Sequence, residues 1–228
     1  MCEASSTYLI TSSGPRLLLY QAALRGDWKD AETALRSDDS AGSLKITERG
    51  DTPLHMAAAT KQTVFVRKLV EYLNEGDLEL KNDFGNTAFS FAAVSGVVEI
   101  AEVMYEKNNN LPTIRDSDNM SPIEMAAWMG NKEMVEYLYK ITPRRDFKAW
   151  ELMKIIVATI NGEMFDIALN ILKADRSIVT SPNVDKGSAL LALAGKPFSH
   201  YGTSQEWICE NLARFVPYVP CKIILFHY

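Results

Sequence analysis

The sequence predicts an all-α protein, a solenoid of helix–turn–helix repeats with projecting hairpin-like loops, and three observations lead there. The segment Gly50-Asp51-Thr52-Pro53-Leu54-His55-Met56-Ala57-Ala58 returns as Gly85-Asn86-Thr87-Ala88-Phe89-Ser90-Phe91-Ala92-Ala93 and as Asn119-Met120-Ser121-Pro122-Ile123-Glu124-Met125-Ala126-Ala127, at offsets of 35 and 34 residues. A second set keeps the same offsets: Val66, Leu69 and Val70 fall on Ala101, Met104 and Tyr105, then on Val135, Leu138 and Tyr139. Two separate segments with one period mark a repeat architecture, in which each unit buries its apolar faces only against its neighbours. The third observation is chemical. Thr52 and Ser121 can accept from the free backbone donors of a helix start, and Pro53 and Pro122 follow at the first helical position, where a missing amide costs nothing.

Within each repeat the paired alanines allow close approach of a neighbouring helix. The apolar residues three and four apart in the second segment form one buried stripe. Each unit is expected to be a short helix, a tight turn, a longer helix and an extended loop.

Outward from the three central repeats, which run from Lys45 to about Thr142, the pattern weakens. Residues 1–15 are expected to be a disordered polar arm. Residues 17–34 are expected to be a capping repeat, with Ala22-Ala23 standing 35 residues before Ala57-Ala58. Residues 150–172 keep a two-helix pattern without the Thr-Pro start, and Gly162 is read as the turn, 32 residues after Gly130. Ser188 stands 67 residues after Ser121, nearly two periods, which predicts a sixth, degenerate repeat around 187–197. The repeat domain is thus expected over 16–200, in about six units, with 201–228 an irregular linker or truncated tail.

Thr52-Pro53-Leu54-His55 with Ala57-Ala58 at this period resembles the ankyrin repeat. The resemblance implies hairpin-like loops that project as fingers around 49–51, 83–86 and 118–120, a concave binding face lined by fingers and inner helices, and a protein partner. The segment ending in Leu193-Ala194-Gly195-Lys196-Pro197 further resembles plant ankyrin proteins with a C-terminal PGG membrane domain. That narrower resemblance implies stress, defence or cell-death signalling on the cytoplasmic side of a membrane. The membrane domain is not in this sequence, so the chain is read as a fragment, a truncated gene product or a soluble form.

Composition narrows the function classes. With 47% hydrophobic and 23% charged residues the chain can bury a core, and its net charge of -5 gives no general attraction to phosphate backbones, so nucleic acid is not the expected partner. Cys2, Cys209 and Cys221 are too few and too scattered for a disulfide framework or zinc cluster, which suits a reducing, cytoplasmic setting. No window approaches the ~20 apolar residues of a membrane helix, so direct membrane insertion is not expected, and the first 16 residues lack a secretory pattern.

No catalytic, cofactor or metal site is expected. His55 is read as a structural histidine, because Ser90, Glu124 and Leu191 occupy the matching positions. His200 and His227 have no second ligand at zinc spacing. Gly195-Lys196 lacks the earlier glycine and following Ser or Thr of a phosphate loop, and no Gly-x-Ser-x-Gly elbow exists. The carboxylate pairs Glu133 with Glu136 and Asp27 with Asp30 fall on polar helix faces. The residues expected to meet a protein partner are Asp51, Phe84, Asn86 and Met120 on the fingers, and Trp128 and Met129 at the end of an inner helix.

Overall fold

Side chains that satisfy the free donors of a first turn decide where helices begin. A computed structural model describes residues 15–37, 40–181, 184–196 and 203–213. Thirteen α-helices and no strand occur among the described residues. They are α1 (Pro15–Arg25), α2 (Trp28–Ser37), α3 (Pro53–Ala59), α4 (Thr63–Tyr72), α5 (Ala88–Ser95), α6 (Val98–Lys107), α7 (Pro122–Trp128), α8 (Lys132–Ile141), α9 (Ala149–Asn161), α10 (Phe165–Ala174), α11 (Ser177–Thr180), α12 (Lys186–Ala194) and α13 (Thr203–Ala213). The all-α class matches the expectation, and the pairing of a short helix with a longer one holds in the three central repeats, whereas α1 and α9 are longer than the helices that follow them. The arm at 1–14 lies outside the described residues.

The tight turn inside each pair needs one residue in the left-handed region. Gly26 (φ 73°), Lys61 (63°), Gly96 (76°), Gly130 (72°) and Glu163 (61°) take it. Gly162 lies in the turn of the fifth repeat as expected, but it ends α9 at φ -81°, and Glu163 carries the left-handed conformation. Gly162 thus stands where Thr60 and Met129 stand. The finger tips repeat the device at Gly50 (76°), Gly85 (76°) and Asn119 (61°).

The described residues up to Met125 form one compact unit and those from Ala126 onward a second, the division falling within α7. In the N-terminal unit, α3 packs between α1 and α5, and α4 packs on α6. The alanine pairs Ala22-Ala23, Ala57-Ala58 and Ala92-Ala93 are fully enclosed, as close helix approach requires, and Phe65, Leu69, Ile100 and Met104 fill the layer behind them. Repeats are also stitched by polar side chains: Gln62 Nε2 donates to Leu24 O (3.0 Å), Tyr72 Oη to Leu35 O (3.1 Å), and Asn108 Nδ2 to Glu79 Oε1 (2.8 Å).

In the C-terminal unit, α9 packs against α10 and α12 around Ile155, Ile156, Ile160 and Ile171. Asp185 caps α12: its Oδ1 accepts from Ser188 N (3.2 Å) and its Oδ2 from Ser188 Oγ (2.5 Å). These bonds to Ser188 hold the Asp185 carboxyl below its ordinary pKa. The reading of residues from 201 onward as irregular is corrected, since α13 packs on α10 and α12 and buries Ile208, Cys209 and Leu212. The remainder, 214–228, lies outside the described residues.

The glycines allow strain and crowding to be separated. A Cβ on Gly85 would lie 2.5 Å from Ser117 N in a left-handed residue, a Cβ on Gly130 would meet open space in a left-handed residue, and a Cβ on Gly76 would meet open space without that strain. Urea denaturation should show Gly76→Ala within about 0.5 kcal/mol of wild type. Gly130→Ala should lose about 1 kcal/mol and Gly85→Ala about 2 kcal/mol or more. Equal losses at Gly85 and Gly130 would contradict the close approach of the second and third fingers.

Candidate protein-binding cleft

The fingers of the N-terminal unit are built by one device used three times. The chain folds back on itself at Ile46 N to Asp51 O (2.8 Å), Asn82 N to Asn86 O (2.9 Å) and Asp116 N to Met120 O (3.1 Å). A side chain then braces the interior, Thr47 Oγ1 accepting from Asp51 N (3.0 Å) in the first finger and an Asn or Asp in the other two. Asn82 Oδ1 accepts from Phe84 N and Asn86 N, both at 3.0 Å. Asp116 Oδ1 accepts from Asp118 N (3.0 Å) and Met120 N (2.7 Å). Successive fingers join through backbone atoms, Asp83 N donating to Arg49 O (2.9 Å) and Ser117 N to Phe84 O (3.1 Å). The exposed pair Lys45 with Asp83 (3.2 Å) lies across the same seam.

His55 ties the helices to the fingers. Its Nδ1 accepts from Thr52 N at 3.2 Å, which leaves the ring proton on Nε2, and Nε2 donates to Asn86 O at 2.9 Å in the next repeat. The histidine is 1% exposed, and its burial lowers its pKa while the Asn86 carbonyl pulls the other way. Glu124 does the local part of this work in the third repeat, accepting from Ser121 N at 2.8 Å.

Between these fingers and the inner helices lies a cleft of about 520 Å³. Tyr20 of α1, Met56 and Ala59 of α3 and Phe91 of α5 form one wall. The other wall is made by finger residues, among them Ile46, Glu48, Arg49 and Phe84. The Arg49 guanidinium stands 5.7 Å above the Phe84 ring, whose residue is 55% exposed. A mostly pre-formed apolar recess with a few fixed polar groups is suited to receive a side chain of a partner.

The residues singled out in the sequence separate into three groups. Phe84 and Asn86 line the cleft, Asn86 also supplying the carbonyl that His55 holds. Asp51 lines it too, although only 6% of the residue is exposed. Its carboxylate accepts from Thr47 Oγ1 and from Asn82 Nδ2, both at 2.8 Å, so it braces two fingers. Met120 is half-buried at the base of the third finger and is not among the cleft residues. Trp128 and Met129 belong to the C-terminal unit, where they are 72% and 57% exposed. Sequence reasoning missed Tyr20, Met56 and Phe91. The signal was present, since Phe91 stands at the 35-residue offset from Met56, on the same helix position.

The other candidate groups have structural surroundings. Asp27 Oδ1 caps α2 by accepting from Lys29 N (3.1 Å), and Lys196 Nζ donates to Asn161 O (2.6 Å). Among the described residues no three His, Cys, Asp or Glu side chains converge as metal ligands, and no helix is long and apolar enough to cross a membrane. His200, His227, Cys2 and Cys221 lie outside the described residues.

A family profile described as "Ankyrin repeats (3 copies)" matches residues 19–109 and 59–146, more than half of the chain in total. An ankyrin repeat protein of Rickettsia bellii (strain RML369-C) is 33% identical over 64 residues, which are 28% of this chain and 38% of that protein. The chain therefore matches little more than a third of that relative's length. A chain in the crystal structure of the yeast ribosomal protein Rps3 in complex with its chaperone Yar1 superposes with a TM-score of 0.51 at 24% identity, covering 56% of this chain and 92% of that one. At that identity the likeness shows the fold.

The buried neutral His55 sets a pH dependence. Its folded pKa is below the unfolded value of about 6.5. As pH falls past 6.5 the unfolded chain binds a proton that the folded chain does not, so stability is lost from there down to the folded pKa. The slope in that window is up to about 1.4 kcal/mol per pH unit. Urea midpoints measured between pH 7.5 and 5.5 should fall more steeply for wild type than for His55→Gln, whose amide oxygen can still accept from Thr52 N. Parallel pH profiles would rule out a buried neutral imidazole.

Proposed function

Since the chain belongs to the ankyrin-repeat family, whose repeats are protein-interaction modules, we propose that it is a scaffold that takes a segment of a partner protein into the cleft of its N-terminal unit. The observation that carries this reading is the cleft itself, with Tyr20, Met56 and Phe91 on one wall and Phe84 at the rim. The finger-to-finger hydrogen bonds hold both walls in place before binding, so little ordering entropy is spent on association. The partner supplies an apolar side chain for the recess and a backbone for Asn86 and the rim. Trp128 and Met129, exposed on the C-terminal unit, are proposed as separate contacts.

The narrower reading places this scaffold in the cytoplasm, in plant stress, defence or cell-death signalling. It rests on the resemblance of the segment ending in Lys196-Pro197 and on the sparse cysteines. Reading the transcript beyond the Tyr228 codon tests it: four apolar membrane-length runs are expected there, and a different continuation removes that support.

Capture of prey from extract by the full chain, with affinity then measured on the prey, tests the binding role. Phe84→Ala and Met56→Ala should each weaken binding by more than about 1 kcal/mol, roughly fivefold, with helix content unchanged by circular dichroism. Prey held equally by wild type and both variants would refute the cleft as the binding site. The absence of any specific prey would favour a structural or autoregulatory module that has no external partner.

A further inference from the structure

The net charge of -5 hides a local reversal. Between Tyr139 and Lys154 the chain carries five Lys or Arg (Lys140, Arg144, Arg145, Lys148, Lys154) against two acids, Asp146 and Glu151. Glu151 is 1% exposed and accepts from Lys148 N at 3.0 Å, so its carboxylate is turned into the start of α9 and not toward solvent. All of these residues belong to the C-terminal unit and none lines the cleft.

Aromatic rings interleave with the cations and hold several of them. Arg144 lies 5.6 Å from the Tyr139 ring centroid and donates to its hydroxyl, and Tyr139 stacks at 6.0 Å on Phe147. Lys148 and Lys154 both sit over Trp150, at 5.9 and 4.8 Å. Arg144 is further paired with Asp175 (3.4 Å). Lys140, Arg145, Lys148 and Lys154 are exposed, and neither Lys140 nor Arg145 joins an ion pair among the described residues. Cations resting on ring faces lose less side-chain freedom when an anion arrives.

We propose that this surface, from the end of α8 to the first turns of α9, binds a short acidic peptide segment of a protein partner, rich in Asp and Glu. Charge complementarity carries the choice of occupant. The Trp150 and Tyr139 rings are engaged with Lys and Arg groups, so they do not serve as platforms for stacked bases, which single-stranded nucleic acid needs. A long polyanion would also run on over a protein whose total charge is negative, whereas a short acidic segment needs only the patch. The carboxylates meet Arg145, Lys140, Lys148 and Lys154 at the rim of an otherwise acidic molecule, a placement that governs approach and specificity.

The test is fluorescence anisotropy on the full chain with a labelled peptide of alternating Glu and Ser, its Gln and Ser counterpart, and a labelled oligouridylate. The Glu peptide should bind, its affinity falling steeply with added salt, and the Gln peptide should bind at least about tenfold more weakly. Arg145→Glu, and the neutralising set Lys140→Gln with Arg145→Gln and Lys154→Gln, should each weaken the Glu peptide about tenfold, while Phe84→Ala leaves it unchanged. The neutralising set keeps the test valid if charge reversal harms folding. Equal binding of the Glu and Gln peptides overturns the proposal, and oligouridylate bound as tightly as the Glu peptide makes the surface a nucleic-acid site instead. Loss of peptide binding in Phe84→Ala moves the occupant to the cleft. Self-association abolished by Arg145→Glu in sedimentation makes a second copy the occupant.

Discussion

Successive fingers in the N-terminal unit meet through main-chain atoms, Asp83 N on Arg49 O and Ser117 N on Phe84 O. Main-chain contact of this kind requires that the fingers approach more closely than side chains would allow, and the left-handed glycines at 50 and 85 permit it. Once the fingers are spaced by backbone bonds, the inner helices they begin are spaced with them. The alanine pairs then fill the gap without excess volume, and Tyr20, Met56 and Phe91 form one wall facing the fingers. His55 transmits the same constraint from the side of the helix, because its ring is fixed at both nitrogens, one within its own repeat and one in the next.

The helix starts show how one physical requirement accepts several chemistries. The backbone N–H before the helix needs an acceptor three residues on. His55 Nδ1 supplies it for Thr52, Glu124 for Ser121 and Glu151 for Lys148. At α5 and α12 the direction reverses, and the capping side chain of Thr87 or Asp185 accepts from the backbone of Ser90 or Ser188. The Thr-Pro-Leu-His sequence is thus one solution among several, which explains why the C-terminal unit keeps helix pairs after losing the motif. The His55 solution differs in reaching the neighbouring repeat and in being sensitive to protonation.

The two surfaces differ in chemistry. The cleft is apolar and braced, with Asp51 consumed in holding it together, while the segment from Tyr139 to Lys154 is cationic and backed by aromatic rings. The two proposed binding modes therefore call on apolar contact at one surface and on charge at the other.

The sequence by itself determined the repeat period, the helical class and the helix starts of the central repeats, because these depend on local hydrogen bonding and on apolar spacing within one repeat. Phe84 at a finger and the structural nature of His55 were legible for the same reason. Tertiary structure decided which finger groups face outward. Asp51 looked like a tip residue and is buried, since its bond to Asn82 crosses 31 residues of sequence. It also decided that Glu163 and not Gly162 takes the left-handed conformation, that Asp185 caps α12, and that α13 closes on α10 and α12. Burial and register at these positions depend on neighbours that no single repeat contains. The spacing of a motif could therefore locate the repeats but not assign each side chain to the core, the cleft or the surface.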